Sequence, residues 1–189
     1  MVAEVITFPK AVVTSSVKIK IKSIYKGTTF SDSCVSEVQV LDNQPDDFIT
    51  PAHMSASSTY PADGDGDYDA ANMNDMLLDS MWCEAGKDGD GTGEWVEFDL
   101  GGNRNVSKLR FNNGNATSLG DNMKANRATA ATLTFSDGST QAIAIKPTPA
   151  TQVIEFSSKN TSKVRITFTT VVRGKEFNDL CVSEAAFQE

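Results

Sequence analysis

Acidic side chains are the residues whose number and spacing bear most directly on chemistry in this chain. Residues 42–99 hold fifteen Asp or Glu and one basic residue, Lys87, within a chain of net charge −8. A segment of that density repels itself unless it is solvated or holds cations. Two strings in it resemble ion loops. Residues 63–69, DGDGDYD, have the D-x-D-x-D start but no Gly at the sixth position. Residues 88–99, DGDGTGEWVEFD, match the first, third, fifth, sixth and twelfth positions of a calcium loop. Their second half alternates as a strand does, so the string is read as a turn feeding a strand. The single histidine, His53, removes most His-based triads and His-metal sites. There is no G-x-S-x-G nucleophile elbow and no C-x-x-C. Acid density is read as calcium binding or solvation rather than as a carboxylate pair for glycoside hydrolysis, and no enzyme is expected.

The broader composition narrows the classes further. No apolar run approaches the roughly 18 residues of a membrane helix, and no basic stripe with interleaved aromatics suits nucleic acid. The first ten residues, MVAEVITFPK, lack the basic and apolar regions of a signal peptide. A secreted parent would carry its signal upstream.

An internal repeat organises the rest. Residues 17–37, VKIKIKSIYKGTTFSDSCVSE, recur as 164–184, VRITFTTVVRGKEFNDLCVSE. The shared skeleton is V-x-I followed by G-x-x-F-x-D-x-C-V-S-E, at an offset of about one domain length. Residues 1–42 are therefore expected to be the closing hairpin of a preceding copy, 43–55 a linker, and 56–189 a complete copy. Cys34 and Cys181 are equivalent positions, and Cys83 is the one cysteine in the body of the complete copy. Cys83–Cys181 is then the natural intradomain pair, with Cys34 unmated; three reduced thiols are the alternative in a reducing compartment. The apolar face of the first hairpin, Val17, Ile19, Ile21 and Val35, is expected to dock, either on the neighbouring sandwich of its own chain or on another copy of the chain.

The elements that must position these groups are strands. Val17, Ile19 and Ile21 alternate with lysines, and Val96, Phe98 and Leu100 alternate with Glu97 and Asp99. Residues 131–146 read as two strands around the turn Asp137-Gly138. QVIEF, VRITFTTVV and VSEAAF supply three more. The best helical candidate is short, near residues 70–79. Residues 60–94 form a polar stretch long enough to imply a functional or metal-ordered region.

Three motifs in order carry a family resemblance: ASSTYP at 56–61 leading to DSMWCEAG, EWVEFDLGG at 94–102, and the terminal G-x-x-F-x-D-x-C-V-S-E. Together they resemble discoidin-type (coagulation factor 5/8 type C) domains of the galactose-binding-like superfamily, above all the bacterial NADase-type glycan-binding variant. The resemblance implies an all-β, jelly-roll β-sandwich, here with an extra N-terminal hairpin. It implies a non-catalytic glycan-binding module of a bacterial secreted or cell-surface protein, stabilised by Ca2+. The calcium ligands it implies are Asp75, Ser80 and Glu184, with Asp79 nearby. A sugar site needs an aromatic face and a few orienting polar groups. Tyr60 and Tyr68 are the candidate faces, and Trp82 is assigned to the core. Asn113, Asn115, Asn122, Lys124 and Arg127 are candidate hydroxyl ligands, a solvated loop being the alternative. The rival function is a structural tandem-repeat subunit of a surface filament or adhesin stalk.

Overall fold

The computed structural model describes residues 17–25, 27–29, 48–64, 66–85 and 89–189. The chain divides into two compact units, Met1–Asp46 and Asp47–Glu189. In the first, residues 17–25 have no regular secondary structure, and Val17, Ile19 and Ile21 are exposed. The strand expected from their alternation is not formed. The second half of the expected hairpin, with Cys34 and Val35, lies outside the described residues.

The second unit is a β-sandwich. Among the described residues its strands are β1 (His53–Ala56), β2 (Trp82–Cys83), β3 (Trp95–Asn113), β4 (Arg127–Phe135), β5 (Thr140–Ala144), β6 (Gln152–Val172) and β7 (Cys181–Gln188). They pair antiparallel in the order β2-β7-β3-β6-β4-β5, with β1 also on β3. Helix among the described residues is confined to a 3-10 turn at Ala70–Asn74, capped by Asp69, and a four-residue α1 at Leu119–Asn122.

The two long strands make the architecture. Val96, Phe98 and Leu100 of β3 alternate inward, then Gly101–Asn105 is exposed, then Val106, Leu109 and Phe111 are buried again. The β3–β6 register shifts between Asp99 and Arg104. Inward residues from both sides of this bulged segment belong to one core, so the ribbon folds over there. QVIEF and VRITFTTVV, read as two strands, are one continuous β6. Their polar link, SSKNTSK, is held in line by β3 alongside it.

Trp82, Phe98, Phe111, Phe168 and Phe187 are the bulkiest side chains of the core. Trp82 stacks on Phe168 at 5.8 Å, and its Nε1 donates to the Ser58 carbonyl at 2.9 Å. The 136–139 turn follows the Asp-Gly signal: Gly138 has φ +80°, and Asp137 Oδ1 accepts from the Ser139 amide at 2.9 Å. The expected linker ends earlier than composition implied. Ile49 is buried and donates its amide to the Phe187 carbonyl at 2.9 Å, and His53–Ala56 pairs with β3.

Candidate functional site

The loops at one end of the sandwich converge on a disulfide. Cys83 and Cys181 face each other in the β2–β7 ladder and are bonded, with S–S 2.04 Å. Three loop backbones are tied to this ladder. Tyr60 donates its amide to the Cys83 carbonyl at 2.8 Å, Gly114 to Cys181 at 3.0 Å, and Glu84 to Leu180 at 3.0 Å. Tyr68 and Met81 pack on the small apolar cluster formed by the two cysteines and Ala125. The Tyr60 and Tyr68 rings then meet edge to face, 5.5 Å apart. The Tyr68 hydroxyl donates to Asp63 Oδ1 at 3.2 Å.

Beside this corner lies an open cleft of about 470 Å³, lined by Tyr60, Pro61, Ala62, Asp63, Ala85, Asn178 and Asp179. Its far wall is held by Asn126, whose side chain is fully buried. Asn126 Nδ2 donates to the carbonyls of Asp90 (3.0 Å) and Asn178 (2.6 Å), and its Oδ1 accepts from the Gly174 amide at 2.7 Å. The Asn126 amide donates to the Asp179 carbonyl at 3.0 Å. Burial pushes the Asp179 carboxyl above the usual carboxylate range, with its own backbone amide partly offsetting this.

Among the candidate sugar ligands, Tyr60 and Tyr68 come together at the cleft. Asn113 and Arg127 do not, and their assignment as hydroxyl ligands is corrected. Asn113 is fully buried: its Nδ2 donates to Ala128 (2.7 Å) and Lys146 (2.9 Å) carbonyls, and its Oδ1 accepts from the Ala128 amide at 3.0 Å. Arg127 is only 9% exposed and donates to the Arg173 carbonyl at 3.4 Å. At the end of β3 the Asn113 side chain turns inward to replace ladder hydrogen bonds that the strand no longer makes, and Arg127 is buried at the start of β4. Asn122 is also fully buried, with Nδ2 donating to the Asn113 carbonyl at 2.5 Å. Asn115 and Lys124 lie outside the cleft lining. Asn115 caps its own turn at Thr117, and Lys124 pairs with Asp121 at 3.0 Å.

Sequence reasoning missed Asn178 and Asp179, having read G-x-x-F-x-D-x-C-V-S-E as an internal repeat and a family motif. The signal was the polar pair between Phe177 and Leu180. Phe177 itself is a large apolar side chain left 53% exposed on the same loop.

Asp75, Ser80 and Glu184 also meet. Ser80 Oγ donates to Asp75 Oδ2 at 2.7 Å. Glu184 is buried on β7, and its Oε1 has no hydrogen-bond partner among the described residues. Burial pushes its carboxyl up to about 8; the Met76 amide opposes the shift and the Asp75 carboxylate adds to it. Met76, at φ +64°, reverses the loop over the glutamate. Among the described residues no three His, Cys, Asp or Glu side chains cluster. A cation here would therefore be held by two carboxylates, a hydroxyl and further carbonyl or water oxygens, which suits a hard cation. A buried carboxylate oxygen without a partner is what such ligation would satisfy.

The other acids disperse. Asp67 accepts from Asn72 Nδ2 at 2.9 Å, and Asp69 caps the 3-10 turn. Asp90 Oδ1 accepts from the Thr92 amide at 3.0 Å in the turn feeding β3. Glu94 accepts from the hydroxyls of Ser57 and, at 2.8 Å, Ser58.

The family model for the NAD glycohydrolase translocation F5/8 type C domain matches residues 47–188. No curated protein matches the chain. Among solved structures, the CBM32 of AlyQ in complex with 4,5-unsaturated mannuronic acid is 19% identical with a TM-score of 0.52, over 74% of this chain and 96% of that one. CpGH89CBM32-5 from Clostridium perfringens, in complex with GalNAc-β-1,3-galactose, is 13% identical with a TM-score of 0.55, over 72% and 94%. Chitosan-binding module 2 from the chitosanase/glucanase of Paenibacillus sp. IK-5, in complex with chitotriose, is 17% identical with a TM-score of 0.54, over 75% and 98%. At these identities the likeness establishes the fold. With the model matched over the whole sandwich, the chain belongs to the NAD glycohydrolase translocation F5/8 type C domain family.

Proposed function

We propose that the 47–189 domain is a non-catalytic glycan-binding module of a bacterial secreted or cell-surface protein, with a calcium ion held by Asp75, Ser80 and Glu184. The observation that carries the reading is the Tyr60–Tyr68 corner beside a cleft edged by carboxylates and an amide. Tyr60, 39% exposed, offers a flat face to the C–H surface of a sugar ring. Asp63, Asn178 and Asp179 offer acceptors and a donor for hydroxyls. Structures of the same fold solved with bound sugars support the reading. The Cys83–Cys181 bond suits an oxidising compartment.

Bound calcium would neutralise the Glu184 and Asp75 charges and fix the 75–80 loop. The residues of this chain do the rest: the disulfide ladder holds Tyr60 by its amide, and Asn126 holds the opposite wall.

A glycan array probed in calcium and, in parallel, in EDTA tests the proposal, followed by calorimetry on the best ligand. Tyr60→Ala is expected to weaken binding by tenfold or more, about 1.4 kcal/mol, with an unchanged melting temperature. An array without a hit, or a ligand indifferent to Tyr60→Ala, would refute it.

A further inference from the structure

We infer that Asn112 is a further ligand of the proposed calcium ion, its side-chain oxygen joining Asp75, Ser80 and Glu184. The inference rests on the calcium reading of those three residues and adds a side chain from β3. The three fall short of a full shell by themselves. Calcium takes six to eight oxygens, the amide carbonyl of Asn among them. Two carboxylates and a hydroxyl, from the 75–80 loop and β7, leave room for another side-chain oxygen.

Asn112 stands where that oxygen is wanted. It is the cross-strand partner of Glu184 in the β3–β7 ladder. Side chains paired in this way share a face of the sheet, with Cβ atoms about 5 Å apart. Both residues are buried, Asn112 at 1% exposure and Glu184 at 3%. Each keeps one oxygen without a hydrogen-bond partner among the described residues, Asn112 Oδ1 and Glu184 Oε1. The amide has a fixed sense. Asn112 Nδ2 donates to the Pro149 carbonyl at 3.1 Å and to Thr151 Oγ1 at 3.0 Å. A carbonyl can only accept, so the nitrogen must face it. Residues 149–151 lead into β6, which flanks β3 on the side away from β7. The oxygen is left for the β7 side, where Glu184 stands.

A water molecule donating to both oxygens is the simpler occupant, but it supplies no counter-charge. The Asp75 carboxylate acts on Glu184 and raises the cost of a second charge beside it. Arg110, two residues before Asn112 on β3, offsets that cost in part. Its guanidinium lies 5.7 Å from the centre of the Phe48 ring. The ion pairs among the described residues engage neither Arg110 nor Asp75 nor Glu184. Two neighbouring carboxylates and an orphan amide oxygen, withdrawn from water, are met together by a divalent cation. An uncharged amide also completes the shell without adding repulsion between ligands.

The test is calorimetric titration of the full chain with calcium chloride, on the parent, Asn112→Leu, Asn112→Asp and Glu184→Ala. Glu184→Ala is expected to abolish binding. Asn112→Leu is expected to weaken it by about tenfold or more. Asn112→Asp keeps an oxygen and adds a charge, and is expected to hold or exceed the parent's affinity. Melting curves in EDTA establish that each variant is folded at the titration temperature, and Asn112→Ala replaces the leucine variant if that one is not. A residue that only braces the 149–151 turn through its nitrogen would lose affinity in the Asp variant as in the Leu variant, and that result would overturn the inference. Parent affinity in Asn112→Leu would also overturn it, assigning the two oxygens to an internal water. In either case, binding by the parent that Glu184→Ala abolishes would leave the calcium reading intact. A parent that binds no calcium would overturn that reading and this inference together.

Discussion

Asp179 and Glu184 are both carboxyls raised by burial, and each has a measurable consequence. The folded protein holds the Asp179 proton more tightly than the unfolded chain does. Between the two pKa values the native state binds more protons, so stability falls as pH rises through that window. Above it, Asp179→Asn should melt higher than the parent; below it, where both side chains are neutral, the two should coincide. A pH-independent difference between their melting temperatures would contradict this. For Glu184 the readout is the cation. Calcium at a hundredfold excess over its Kd should add roughly 3 kcal/mol, and Asp75→Ala or Glu184→Ala should abolish the gain. Identical melting curves with calcium and with EDTA would dismiss the site. At this scale the sequence told residue type but not direction. Asn113 and Arg127 are as polar as any sugar ligand, yet the end of β3 and the start of β4 turn them inward. Asp75 and Glu184 were paired through family resemblance, because no local spacing brings a loop before Trp82 to the last strand.

Between elements, Gly174 lies close against the 124–125 backbone. A Cβ there would overlap the Lys124 carbonyl oxygen and stand 2.5 Å from the Ala125 carbonyl carbon. Gly174→Ala should therefore cost at least about 2 kcal/mol, and the Phe177 amide, which donates to Lys124 at 2.9 Å, should lose protection from hydrogen exchange. A variant as stable as the parent would show that the loops separate easily. Legibility at this scale followed locality. The β4–β5 hairpin was readable because alternation and an Asp-Gly turn lie within one window. The unity of β6 was not, since residues 157–163 become strand only beside β3. Val17–Ile21 fails in the opposite direction. Its alternation matches Val164, Ile166 and Phe168, which are fully buried between β3 and β4. Pattern alone supplies an amphipathic face but no ladder partner.

Across the whole molecule, the core residues among those described run from Ile49 to Phe187, the span that the family model also covers. Removing residues 1–46 should leave the melting temperature of the sandwich within a degree or two, as expected when none of the described core residues is lost. A collapse of the transition would mean that the first unit contributes to the fold. The all-β architecture was readable from period-2 alternation, and the sandwich form from the family motifs. The domain's start was not, because Pro and Asp around residue 48 look like linker until Ile49 and β1 are seen against β7 and β3.

The Asn126 anchor has a kinetic consequence. With Asp90, Gly174 and Asn178 all bonded to one buried side chain, and Tyr60 fixed to the β2–β7 ladder from the other side, neither wall has to assemble around a ligand. Encounter and capture then reduce to a single bimolecular step. In stopped-flow mixing the observed rate should rise linearly with sugar concentration without reaching a plateau. Asn126→Ala should introduce the plateau by releasing the far wall, turning a ready-made cleft into one that must first close.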